Sequence, residues 1–140
     1  MKVGVTGTRE GATETQLSSV RDILNVYFLI DHGGEFHHGD CSGVDVQVAA
    51  IAKEIGYTIV CHPPSKDETR GFFGGDIVHD PKGYLERDRN IVDSTEVLLV
   101  VPLQDEWQPK GGTWYTHDYA VKKNKPVIII YPKGVKTVDK

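Results

Sequence analysis

The chain predicts an α/β fold, a mostly parallel sheet of about five strands with helices packed on both faces. Three observations carry this. Short β-branched runs alternate with longer stretches of helical periodicity along the whole chain, a pattern that needs crossover connections between parallel strands. The run Glu96 to Val101 is almost continuously apolar, as a strand covered on both faces must be. Glycine-containing loops follow the strand runs at Thr6-Gly7-Thr8-Arg9, Gly39-Asp40-Cys41-Ser42-Gly43 and Lys110-Gly111-Gly112-Thr113, where the strand-to-helix turns of such a sheet fall. Together they describe a Rossmann-like three-layer sandwich.

The first strand is Lys2 to Val5. Thr13-Glu14-Thr15-Gln16 has capping-box spacing, and Leu17, Val20, Leu24, Tyr27 and Phe28 then recur on one helical face, giving a long helix that ends near His32-Gly33-Gly34. Glu35 to His38 is the second strand. Val44, Val48, Ile51 and Ile55 trace the second helix, stopped by Gly56 as its left-handed cap. Tyr57 to His62 is the third strand, closed by Pro63 and Pro64, which lack the N–H that a ladder needs. From 65 to 82 the chain is rich in glycine and charge without a usable period, which predicts a mobile lid or binding loop. Gly83 to Asp93 forms the third helix, Glu96 to Val101 the fourth strand, Thr113 to Lys123 the fourth helix and Val127 to Tyr131 the fifth strand, before a polar tail.

Composition narrows the function. A length of 140 residues suits one domain with its own core, spanning 1–140, and 39% hydrophobic against 26% charged residues is a globular balance. Lys and Arg number 16 against 20 Asp and Glu, so the net charge of -4 offers no global field for a nucleic-acid backbone, and nucleic acid is not an expected partner. No apolar run approaches the about 20 residues that span a bilayer, and Met1 leads straight into the first strand, so a cytoplasmic protein without a membrane partner is expected. Cys41 and Cys61 are expected as free thiols in that reducing compartment.

In an open parallel sheet, ligands bind outside the carboxyl ends of the strands. Glycine there lets the backbone approach a ligand, and the next helix presents unpaired N–H groups and a partial positive charge to an anion. Each loop alone is also ordinary turn chemistry; their coincidence is the signal. Neither the G-x-G-x-x-G dinucleotide fingerprint nor a P-loop occurs, so neither NAD nor ATP hydrolysis is supported, and no cofactor is expected.

The strings His38-Gly39-Asp40-Cys41-Ser42-Gly43-Val44-Asp45, His62-Pro63-Pro64, Tyr84-Leu85-Glu86-Arg87-Asp88-Arg89-Asn90-Ile91-Val92 and Gly112-Thr113-Trp114-Tyr115-Thr116 resemble the SLOG superfamily. That group includes the DNA-processing protein A domain and the Lonely Guy cytokinin-activating enzymes. The likeness covers nearly the whole chain and is nearest to a small stand-alone branch of bacteria and phages. It implies a nucleotide-binding pocket in which Gly111, Gly112 and Thr113, with Trp114 beside them, hold phosphate. Thr6, Gly7, Thr8, Arg9, Gly39, Asp40, Ser42, Gly43, Asp45, His62 and Pro63 then line the neighbouring loops. Arg87 is placed at the pocket by the family's tyrosine-leucine-x-arginine pattern, its guanidinium fork suited to bidentate contact with phosphate. The alternative for Arg87 is a surface salt bridge to Glu86 or Asp88.

Lonely Guy enzymes hydrolyse an N-glycosidic bond with an arginine and a glutamate in a proline-glycine-glycine-x-glycine-threonine-x-x-glutamate motif. Aligning the Gly-Thr pair puts Thr116 at the glutamate, and aligning the Gly-Gly pair puts Asp118 there with Trp114 in place of a glycine. Without that carboxylate hydrolysis lacks its mechanism, leaving Arg87, Asp118 and Asp40 as candidate catalytic residues and Asp45 as a further carboxylate. Trp107, Trp114 and Tyr115 are candidates for stacking on a base. No metal site is expected from His37, His38, His62, His79 and His117. His37 and His38 point to opposite faces of a strand, no acidic or thiol partner sits at ligand spacing, and His62 suits a pocket hydrogen bond. The leading expectation is a module that binds a nucleotide or nucleotide-derived ligand and forms a homo-oligomer. The alternatives are a nucleoside-monophosphate phosphoribohydrolase and a single-stranded DNA binder.

Overall fold

A computed structural model describes residues 1–135. Its strands are β1 (Lys2–Gly7), β2 (Glu35–His38), β3 (Thr58–Cys61), β4 (Ile77–Val78), β5 (Val97–Val101), β6 (Val127–Tyr131) and β7 (Gly134–Val135). Its α-helices are α1 (Glu14–Asp31), α2 (Val44–Ile55), α3 (Tyr84–Asp93) and α4 (Gly112–Lys122). One seven-stranded sheet runs in the order β4-β3-β2-β1-β5-β6-β7, parallel throughout except for the β6–β7 pair.

The sheet has seven strands rather than five. The two extra strands, β4 and β7, pair at only two positions each. Two residues cannot display an alternation, so neither leaves a periodic trace in the sequence. β4 comes from the segment 65–82, which also holds a 3₁₀ turn at Asp67–Thr69 and bridges at Cys41–Arg70 and Pro64–Lys82. Most of the polar tail, from residue 136 onward, lies outside the described residues.

The layers follow from which strand residues face which helices. Val3, Val5, Phe36, Ile59, Leu99 and Val101 face α1 and α2, where Val20, Leu24, Val48 and Ala52 meet them. Leu98 and Val100 face the opposite way, onto Ile91 and Val92 of α3 and Trp114 and Ala120 of α4. Both faces of β5 are thus covered, the reason its sequence is apolar without alternation. At the start of α1 the Thr13 side chain accepts from the Gln16 amide while Gln16 accepts from the Thr13 amide, completing the capping box. The buried Gln16 amide group also donates to the carbonyls of Pro102 and Ile130 at 2.8 Å each, pinning that helix end to two strand ends.

Strands β1 to β4 are laid down in one direction and β5 to β7 in the other, so the order reverses between β1 and β5. Loops leaving those two strands diverge there and open a crevice. Gly7 closes β1 at this point, and a Cβ on it would stand 2.6 Å from Val44 Cβ and 2.7 Å from the Val101 carbonyl oxygen. Only glycine lets α2 and β5 approach this closely. Gly7→Ala is expected to lower stability by about 1–3 kcal/mol through overpacking, read as a drop in the urea midpoint with unchanged m-value.

Candidate functional site

The crevice between β1 and β5 is a cleft of about 280 Å³. Thr6, Gly7, Thr8 and Arg9 line it from the end of β1, and Cys41 and Asp45 from the β2–α2 connection. Tyr84, Arg87 and Asp88 enter from α3, and Lys110, Gly111, Gly112, Thr113 and Trp114 from the start of α4. The three glycine loops therefore meet at one place. Helices α2, α3 and α4 begin at Gly43, Gly83 and Gly111, none of which supplies a capping side chain. The first amides of α4, which have no partner within the helix, open toward the cleft.

Arg87 sits in the floor, 4% exposed. The fork anticipated for a phosphate is turned inward. Nε donates to Asp88 Oδ1 at 2.7 Å, Nη1 to the carbonyls of Gly39 and His62, and Nη2 to Cys41 Sγ at 3.4 Å. A charged group withdrawn from water needs partners on most of its donors, and the loop carbonyls supply them. Gly39 is required for this, since a Cβ there would run into the guanidinium. The salt bridge to Asp88 foreseen as the alternative for Arg87 does form, in the interior rather than on the surface.

Two carboxylates share the floor. Asp45 accepts through Oδ2 from the amides of Gly39 at 2.9 Å and Cys41 at 3.3 Å. Burial raises the pKa of both Asp45 and Asp88, against the lowering influence of Arg87 between them. A Cβ built on Gly112 would stand 3.9 Å from Asp88 Oδ2, so this carboxylate reaches the first turn of α4. Burial, and then the neighbouring Asp45, raise the pKa of the Cys41 thiol. Both cysteines are free and buried, as expected.

The aromatic wall is Tyr84. Its hydroxyl meets Thr69 Oγ1 at 2.7 Å, and the guanidinium carbons of Arg9 and Arg87 each lie 5.7 Å from its ring centre. Of the aromatics singled out from the sequence, Trp114 lines the cleft, but its ring is buried and donates to Gln104 at 3.0 Å. Trp107 donates to Asp118, and Tyr115 accepts from Arg89.

Several expected residues stand away from this cleft. Asp40 is fully buried and clamps the segment 65–82. Its Oδ2 takes Arg70 Nε and Nη2 at 3.0 and 2.7 Å, and its Oδ1 takes the Phe73 and Gly74 amides at 2.7 and 3.2 Å. With both oxygens engaged it is not free for acid–base work. Asp118 lies on the outer surface of α4, bonded to Trp107 and His117. Ser42 ties its amide to Thr69, Gly43 packs its Cα against the backbone of Thr8 and Arg9, and the Pro63 carbonyl accepts from Lys82. Asp88, Tyr84, Lys110 and Cys41 were not singled out as site residues. For the first two the signal was present, since positions 84, 87, 88 and 91 share one helical face.

His62 lines a second cleft, of about 240 Å³, with His79, Asp80, Lys82 and Asn90. Glu35 Oε1 lies 2.9 Å from His37 Nε2, and His37 Nδ1 lies 2.8 Å from His62 Nε2. Burial pushes His62 down to about 3, with His37 and His79 adding to the effect, and lowers His37 as well. On the other face of β2, His38, Asp40 and Cys61 gather ligand atoms within 4.8 Å, the acidic and thiol partners that sequence spacing did not show. Both His38 nitrogens are engaged, by the Asp40 amide and the Gly74 carbonyl, and burial pushes the Cys61 thiol up to about 12. His38 and Asp40 are thus committed to hydrogen bonds that clamp the segment 65–82.

No protein-family model matches the chain, and no curated protein matches it in sequence. Solved structures do. A molybdenum cofactor binding protein from the phototrophic bacterium Rippkaea orientalis is 24% identical with a TM-score of 0.70, covering 93% of this chain and 76% of its own. The molybdenum cofactor carrier protein from Chlamydomonas reinhardtii is 26% identical with a TM-score of 0.65, covering 92% and 75%. DNA processing protein A from Streptococcus pneumoniae is 18% identical with a TM-score of 0.69, and this chain spans 50% of it. The chain therefore shares its Rossmann-like α/β fold with these proteins. No helix among the described residues is long and apolar enough to cross a membrane.

The histidine shifts carry a stability consequence. Unfolding returns His37 and His62 to their ordinary value of 6.5, so below it the unfolded chain binds protons that the folded chain refuses. Their contribution is complete above 6.5 and is lost as the pH falls toward about 3, the folded value for His62. Urea midpoints taken between about pH 7 and about pH 4 should fall, and His62→Gln should flatten the fall.

Proposed function

We propose that the chain binds a nucleotide or nucleotide-derived ligand in the cleft at the β1/β5 switch point. The observation that carries this reading is the meeting of three glycine loops and an uncapped helix start in one crevice, with Arg9 and Lys110 exposed beside them. A phosphoryl group fits over the first turn of α4, where amides are unpaired and a cationic side chain stands on either side. The Arg87 charge is answered by Asp45 and Asp88, so the anion contacts fall to Arg9, Lys110 and the α4 amides instead. Among the described residues Asp45 Oδ1 accepts no hydrogen bond and suits a sugar hydroxyl, while Tyr84 offers a face to a planar base. That a molybdenum cofactor binding protein and a carrier of that cofactor share the fold supports a small-molecule ligand.

Calorimetric titration with nucleoside monophosphates, the matching nucleosides and inorganic phosphate tests this. The monophosphates should bind, their nucleosides much more weakly, and Arg9→Ala or Lys110→Ala should each weaken binding about tenfold, the loss of one charge-assisted contact. Equal affinity for nucleoside and nucleotide, or no binding of either, would remove the reading.

A second reading, hydrolysis of a nucleoside monophosphate at its N-glycosidic bond, is favoured by one observation. The carboxylate missing from α4 has a counterpart on α3, because Asp88 reaches the same helix start from the opposite side. Two buried carboxylates with raised pKa values flanking an arginine are the type of pair that divides acid and base roles. If this holds, purified protein releases free base from a nucleotide panel and Asp88→Asn abolishes release while nucleotide binding persists. Binding without any release leaves the protein a carrier or sensor.

A further inference from the structure

The second cleft shares only Arg87 with the cleft at the switch point, and its chemistry is set by a chain of hydrogen bonds. A carboxylate can only accept, so the Glu35 contact places the proton of His37 on Nε2. His37 Nδ1 is then a lone pair, and the His62 Nε2 that meets it must be the donor. His62 is left with Nδ1 as its lone-pair nitrogen. No hydrogen bond from a described residue reaches that atom, although the residue is only 4% exposed. No buried side-chain nitrogen or oxygen among the described residues is left unsatisfied, so Nδ1 opens into the cleft that the residue lines.

Two further ligand-type side chains line the same cleft. His79 stacks on His62 with ring centres 4.6 Å apart, and Asp80 follows it in the chain. Both are exposed, and neither side chain makes a hydrogen bond or ion pair with a described residue, so each can turn without breaking one. An imidazole whose far nitrogen is fixed by a hydrogen bond ending on a carboxylate is the arrangement that orients metal-bound histidines. Two imidazoles, one carboxylate and a water complete the coordination of a borderline divalent ion with an open position.

We propose that His62 Nδ1, His79 and Asp80 form a site for a divalent transition-metal ion of the zinc or cobalt type, with His37 and Glu35 as the hydrogen-bonded support that holds His62 in register. The buried ring supplies the fixed ligand and the two exposed side chains close onto the ion. Of the two cations that line the cleft, Lys82 is exposed and the Arg87 charge is answered by Asp88. This site does not depend on the nucleotide reading, because none of its three ligands lines the phosphate cleft.

The test is titration of the tag-free full chain with cobalt(II), read by the visible ligand-field bands of a four-coordinate ion and by calorimetry, with zinc(II) competing. One equivalent should bind with intense bands. His62→Gln should remove them, and His79→Ala or Asp80→Asn, exposed changes that cannot disturb the core, should weaken binding at least tenfold. Glu35→Ala, which touches no metal, should weaken it by roughly 10–100-fold through the supporting hydrogen bonds. Absence of cobalt bands overturns the proposal, as does binding that ignores the His79 and Asp80 substitutions. Bands that survive His62→Gln but vanish in Cys61→Ser would move the ion to the other face of β2 and overturn it equally.

Discussion

The buried guanidinium of Arg87 is the contact on which the arrangement of the carboxyl edge depends. It joins α3 to the end of β2 through Gly39, to the end of β3 through His62 and to the β2–α2 connection through Cys41. The β2–β3 ladder already joins two of these ends, through His38–Cys61 and the His62 amide on the His38 carbonyl, and Arg87 ties α3 to both of them. A cation removed from water holds its acceptors firmly, because every partner lost would leave charge uncompensated in a medium of low dielectric. The floor of the cleft is thus a polar plate tied together at Arg87, with the buried carboxylates of Asp45 and Asp88 on either side of it.

Helix α3 divides the edge into two compartments of different character. On one side Tyr84, Arg87, Asp88 and Ile91 face the glycine loops and the start of α4. On the other Asn90, Asp93 and Ser94 face the histidine chain. The amphipathic logic that buries a helix stripe usually yields one wet face and one dry face. Here both flanks are polar and partly enclosed, which is why so short a helix carries few apolar residues.

The expected elements were readable because each rests on local chemistry. The Thr13–Gln16 capping box, the stop at Gly56 and the apolar run at β5 are properties of a few neighbouring residues, and each stands where periodicity put it. The convergence of the glycine loops was readable too, since parallel alternation sends every strand-to-helix turn to the same edge. The destinations of Asp40 and Arg87 were not. Asp40 has the composition of a helix cap or a ligand group, yet its partner Arg70 comes from a segment without periodicity whose path no local rule specifies. Asp88 is legible in the sequence only as a salt-bridge partner for Arg87, and its second role, facing α4, is not.

By itself the sequence determined the class of fold, the positions of the long elements and the edge at which the glycine loops gather. All of these follow from hydrophobic period and backbone preference, which act over a few residues. Tertiary structure alone decided the strand order and hence the switch point, the inward turn of the Arg87 fork, the clamp at Asp40 and the chain from Glu35 to His62. Strand order apart, each of those joins polar groups brought together from separate segments. Such pairings are chosen by whichever partners the packed core brings within hydrogen-bond reach once water has been excluded, and no spacing along the chain encodes that distance.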